Sequence, residues 1–191
     1  FRLRHPVRIL FFLCPLLASA ALLAADPKPG GWTPEAMLKA KGVAEPSVSP
    51  DGKRIAFSVA TAWMDGEHSE WLSQIYVSSP GAGNKPVQLT RGEKSATNPA
   101  WSPDGAWIAF LSPRAGPKAN LWRIPVNGGE AEQLTDEKGG ISSFQWSPDG
   151  QSIAFLMTDP KTDAEDKAER EKRDAFVVYE NQKRSRLYLL A

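Results

Sequence analysis

A chain that writes Ser-Pro-Asp-Gly, two further residues and then Ile-Ala-Phe three times over is predicted to be all-β, assembled from repeated units of short antiparallel strands. Three observations carry that prediction. The motif occupies 49–57, 102–110 and 147–155, with starts 53 and 45 residues apart, the period of stacked supersecondary units. Ser-Pro-Asp-Gly is turn chemistry: proline presets φ at the second position, aspartate suits the third, and glycine accepts the positive φ that closes the corner. The flanking segments alternate or run apolar over strand lengths.

The elements follow in order. Residues 1–8 carry Arg2, Arg4 and Arg8 without an acid, 9–24 are almost wholly apolar, and the small residues Ala24 and Ala25 precede Asp26. That order is the basic, apolar and small-residue pattern of a secretory signal peptide over 1–25. The apolar run is shorter than the ~20 residues of a spanning helix, so stable membrane insertion after cleavage is not expected. Cleavage would remove three arginines, no acid, and Cys14, the single cysteine, which leaves a near-neutral chain without disulfides in a secreted or periplasmic setting. Of the 191 residues, 41% are hydrophobic and 24% charged, enough for a real core. No clustered basic face marks a nucleic-acid partner.

Residues 26–44 read as a linker and a short helix, capped by Thr33, opened by Pro34 and stopped near Gly42, with its apolar residues expected to dock onto the body. Three units follow, over 45–90, 91–135 and 136–191. In the second, strands are expected either side of the corner, then over 120–126 and, past Asn127-Gly128-Gly129, over 132–135. The first repeats this order with 73–78 and 85–90, and Gln-Leu-Thr closes both units. The third reaches its third strand at 186–190 after a mixed-charge insertion over 159–174, read as a solvated loop or surface helix. The sequence supplies no fourth strand for it.

Four-stranded sheets at this period are the blades of a β-propeller. Because successive side chains on a strand point to opposite faces, Ile and Phe of each triplet should fill one inter-blade gap. The small Ala should let the neighbouring blade approach on the other. Trp101 and Trp146, at matched positions, are expected to pack between blades. A ring needs about 4–8 blades and fewer than three are present, so the predicted fold is an incomplete β-propeller, the amino-terminal part of a longer protein. The missing initiator methionine at Phe1 fits that expectation. Exposed apolar surface on the last blade predicts poor solubility or self-association.

No catalytic, cofactor-binding or metal-binding residue is assigned. His68, the one histidine beyond residue 25, sits among acids in a turn and reads as solvent-facing. There is no H-E-x-x-H, paired-cysteine or calcium-loop pattern. The run Gly140-Ile141-Ser142-Ser143-Phe144 approaches a nucleophile elbow but lacks its second glycine and does not follow a parallel strand. Asp51, Asp104 and Asp149 are explained by local turn hydrogen bonds without a ligand.

The three units, "LWRIPVNGGEAEQLT" and the lead-in "MLKAKGVAEPSVSPDGKRIAF" together resemble the amino-terminal propeller of secreted prolyl oligopeptidase family serine peptidases. The acylaminoacyl-peptidase and dipeptidyl-aminopeptidase-like branch is the nearest in pattern. "DAFVVYENQKRSRLYLL" after the charged insertion resembles the same branch, and the likeness runs over about 32–191. It implies a propeller capping an α/β-hydrolase domain that carries a Ser-Asp-His triad further along, with the ring filtering peptide substrates by size. No triad residue lies in this sequence. The repeat alone also resembles TolB-type periplasmic propellers, which leaves a non-enzymatic interaction scaffold as the alternative, and a sugar-processing propeller enzyme after it.

Overall fold

The computed structural model describes residues 33–81, 83–172 and 183–191. The expected signal peptide over 1–25 lies outside the described residues, as does 173–182 within the last quoted motif.

Helix α1 (Pro34–Lys39) comes first. It is six residues long and touches β2 but buries none of its residues: Met37 and Leu38 stay 58% and 43% exposed, so its apolar residues are not covered as expected. A single turn and a half has too short an apolar stripe to cover a sheet.

Three antiparallel sheets follow. The first holds β1 (Gly42–Val48), β2 (Ile55–Met64), β3 (Ser69–Ser78) and β4 (Val87–Gln88), ordered as in the chain. The second holds β5 (Thr97–Trp101), β6 (Trp107–Ser112), β7 (Asn120–Pro125) and β8 (Glu132–Gln133), again in chain order. The third comprises β9 (Ile141–Trp146), β10 (Ile153–Thr158) and β11 (Ser185–Leu190). Between its last two strands runs α2 (Asp163–Arg170), which buries none of its residues. A capping box starts α2: the Thr162 hydroxyl accepts from the Glu165 backbone N–H while the Glu165 carboxylate accepts from Thr162 N–H. The first sheet is the longest, because β2 and β3 pair over ten residues each and draw Gly42 and Val43 into β1 opposite Ala60 and Val59.

The first strands of successive sheets touch, β1 against β5 and β5 against β9. The sheets therefore fan outward from a shared inner edge. Register decides what fills the gaps. Ile108 pairs with Ile124 and Phe110 with Trp122, so these four share one face; Leu111 pairs with Leu121 and shares the other with Ala109. The first face meets Ala56, Ile75 and Val77 of the first sheet in one buried cluster, with Trp101. The second meets Ile141, Ile153, Phe155 and Met157 of the third sheet in another. The Ile/Phe faces of the second and third sheets thus pack on the Ala face of the sheet before each. Ile108, Ala109 and Phe110 are all fully buried, and each large side chain placed this way is worth about 1.5–3 kcal/mol.

Past the third sheet the pattern has no partner among the described residues. Ala154 pairs with Leu189 and Leu156 with Leu187, on the face equivalent to Ala109 and Leu121. Leu187 and Leu189 are 72% and 69% exposed where Leu121 is fully covered.

Candidate functional site

The three Ser-Pro-Asp-Gly corners are superimposable in chemistry. In each, glycine N–H donates to the serine carbonyl 2.9 Å away, and glycine takes φ near +70° (69°, 70° and 71°). The serine hydroxyl donates to the aspartate at 2.5–2.6 Å and accepts a backbone N–H five residues on, at 2.9 Å. Each aspartate also accepts the N–H two residues ahead of it. The serine hydroxyls, first, and those N–H groups hold the Asp51, Asp104 and Asp149 carboxyls below the usual range. Their donors come from the corner itself, so the carboxylates are used up in closing the hairpin.

The inner edge carries a pairing that sequence reading missed. Glu45 and Asn98, each followed by proline, both adopt φ 55°, at bulges in β1 and β5. A positive φ is costly for a residue with a side chain, and here it is fixed across the gap: the Asn98 N–H donates to the Glu45 carboxylate at 2.8 Å. The signal was present as X-Pro four residues ahead of Ser-Pro, at the same offset in two units. Trp101 crosses the same gap, its indole N–H donating to the Ser47 carbonyl at 2.9 Å. Trp146 packs against the second cluster as its counterpart.

His68 lies at the β2–β3 tip. Its ring stacks on Trp63 at 3.7 Å, and its Nδ1 lies 2.9 Å from the Asp65 carboxylate. Asp65 also accepts the Trp63 indole N–H and the backbone N–H groups of Glu67 and His68. The Glu67 N–H, then the His68 ring and its N–H, lower the Asp65 pKa to about 2. These contacts close the turn on itself. Ser142, in the run that approached a nucleophile elbow, donates to the Leu156 carbonyl from within β9. Among the described residues no group of three or more His, Cys, Asp or Glu side chains could hold a metal ion, and none of their helices is long and apolar enough to cross a membrane. What the geometry offers is a fan of sheets with an uncovered apolar face.

Comparison with known proteins fits that geometry. Residues 34–185 match the family described as the TolB beta propeller domain. The peptidase YuxL of Bacillus subtilis, itself uncharacterized, is 38% identical over 89 residues, which are 47% of this chain and 13% of that protein. Dipeptidyl-peptidase 5 of Porphyromonas endodontalis is 34% identical over 80 residues, 42% of this chain and 11% of that protein. The match therefore spans about an eighth of the length of these relatives. Among solved structures, a TolB from Agrobacterium tumefaciens superimposes with a TM-score of 0.51 at 30% identity, covering 64% of this chain and 40% of that one.

Proposed function

This chain belongs to the TolB β-propeller domain family, and from that premise we propose that it is the amino-terminal propeller part of an exported serine peptidase of the prolyl oligopeptidase family. The observation that carries the reading is the 38% identity to a protein named as a peptidase, joined by the 34% identity to a dipeptidyl-peptidase. The physical support is the open face of the third sheet. Leu156 and Leu187 repeat the positions of Leu111 and Leu121, which are buried one sheet earlier, and a following blade would cover them together with Leu189 on the same face.

In this reading the fan contributes no reacting group. Further blades complete a ring, the ring sits over an α/β-hydrolase domain that holds the Ser-Asp-His triad, and its opening admits short peptides and excludes folded chains. The segment over 1–25 directs export. The rigidity of the corners matters here, because a size filter works only if its rim holds its shape.

The second reading, a non-enzymatic TolB-like scaffold for protein interaction in the cell envelope, is favoured by the 30% identity to a TolB structure. One experiment separates the two. The product of the whole reading frame is treated with a fluorophosphonate probe for active-site serines. Labelling at a serine beyond residue 191, abolished by its replacement with alanine, supports the peptidase; a frame that ends after the blades, or no labelling of folded protein, supports the scaffold.

A further inference from the structure

We propose that the cleft between the outer strands of the first and second sheets is a docking groove for an acidic peptide segment. The cleft encloses about 650 Å³, within the range of ligand sites. The loop before β4, β4 itself and Leu89 line one side; Val126 and the Asn127-Gly128-Gly129 corner line the other. Three cations face it, Arg54, Lys85 and Arg91, and no carboxylate does. None of the three has an ion-pair partner among the described residues. Arg54 lies over the Trp101 ring at 4.9 Å, and the nearby acid, Asp51, is already held by its own corner.

The repeat supplies the control. Aligned on Gln-Leu-Thr, Lys85 corresponds to Glu130, Val87 to Glu132 and Arg91 to Asp136. The second sheet builds the same four strands with the opposite charge, so the fold does not require cations at these positions. Charges of either sign would serve to keep an edge strand from aggregating; gathering one sign around a cleft goes beyond that need. The lining then selects the ligand. Three cations around one cleft without a carboxylate match an extended chain with several carboxylates, and β4, the last strand of its sheet, offers main-chain groups for strand addition.

The groove is independent of the peptidase reading, and its test uses the 191-residue chain. Fluorescence anisotropy follows a labelled eight-residue polyglutamate peptide, about 26 Å when extended, against polyglutamine of the same length. Polyglutamate should bind, more weakly as salt rises, and polyglutamine should not. The double variant Lys85→Glu with Arg91→Asp, which installs the charges of the second sheet, should lose about tenfold or more in affinity. The neutral pair Lys85→Gln with Arg91→Gln should fall between, and serves if the first pair does not fold. No binding of polyglutamate, equal binding of polyglutamine, unchanged affinity in the variants, or displacement by equimolar inorganic phosphate would each overturn the assignment.

Discussion

Replacing Phe110 by alanine probes the interdigitation of the sheets at its centre. Phe110 is fully buried, packs with Ala56, Ile75 and Val77 of the preceding sheet, and lies 5.1 Å beneath the Arg114 guanidinium. Removing such a ring costs about 3–5 kcal/mol, the lost transfer energy plus the cavity left behind. In a chain of this size that lowers the melting temperature by about 6–20 °C. The repeat provides internal comparisons. Phe155, 5% exposed against the second sheet, should cost nearly as much. Phe57 holds the same place in the first sheet, but among the described residues no sheet precedes it; it is half-buried and stacked on Tyr76 at 6.2 Å. Its replacement should cost about 1–2 kcal/mol. Urea denaturation followed by tryptophan fluorescence ranks the three. Equal losses at Phe57 and Phe110, or a loss under about 1 kcal/mol at Phe110, would refute the packing of one sheet's Ile/Phe face on the next sheet's Ala face.

Thr90→Val should destabilise by about 1–3 kcal/mol, measured by the same denaturation, because its buried hydroxyl accepts the Ile75 N–H and donates to Gln74 at 2.8 and 2.7 Å. Thr135→Val should behave alike, through Leu121 and Asn120; stability unchanged in both would contradict the geometry. Gly139→Ala would place a methyl group 2.0 Å from the Thr158 carbonyl oxygen and 2.9 Å from Met157, so a loss of about 1–3 kcal/mol or more is expected, while Gly52→Ala, open on all sides but at φ 69°, should cost only backbone strain. Asp65 has its pKa lowered to about 2 from 3.8. Its contribution to the β2–β3 tip is therefore complete above about pH 4 and lost as pH falls through about 2. The Trp63 indole N–H resonance should follow that fall, and a midpoint near 4 would contradict the hydrogen bonds assigned to Asp65.

The repeat made the architecture legible because each of its letters has one physical task. Serine, proline, aspartate and glycine each satisfy a different demand of the corner, and Ile-Ala-Phe encodes both faces of a strand in three residues. The corners and the alternation of faces could therefore be read before any coordinates. Gln-Leu-Thr was visible as a recurrence, but its purpose was not. The threonine works through Gln74 in one sheet and Asn120 in the other, partners 15 or more residues away and different in kind. Glu45 and Asn98 left only the recurring X-Pro, since the positive φ and the contact across 53 residues that give it meaning exist only in the fold. The basic cleft was also unreadable as a site, since Arg54 lies more than 30 residues from Lys85 and Arg91, and the opposite wall, Val126 to Gly129, comes from the second sheet. Helix α1 shows the opposite case. Its start and stop signals placed it well, but propensity does not say whether a surface exists for it to cover.

Solvent exposure at the open face of the third sheet tests the fan most directly. In a Cys14→Ser background, so that no other thiol of the 191-residue chain reacts, Leu187→Cys can be labelled with a maleimide in that chain and in the product of the longer reading frame proposed above. Rapid labelling in the short chain, with protection of about a hundredfold or more once following blades are present, is the result predicted. Equal labelling in both folded proteins would mean that no sheet stacks there, and that these three sheets are not consecutive members of a ring.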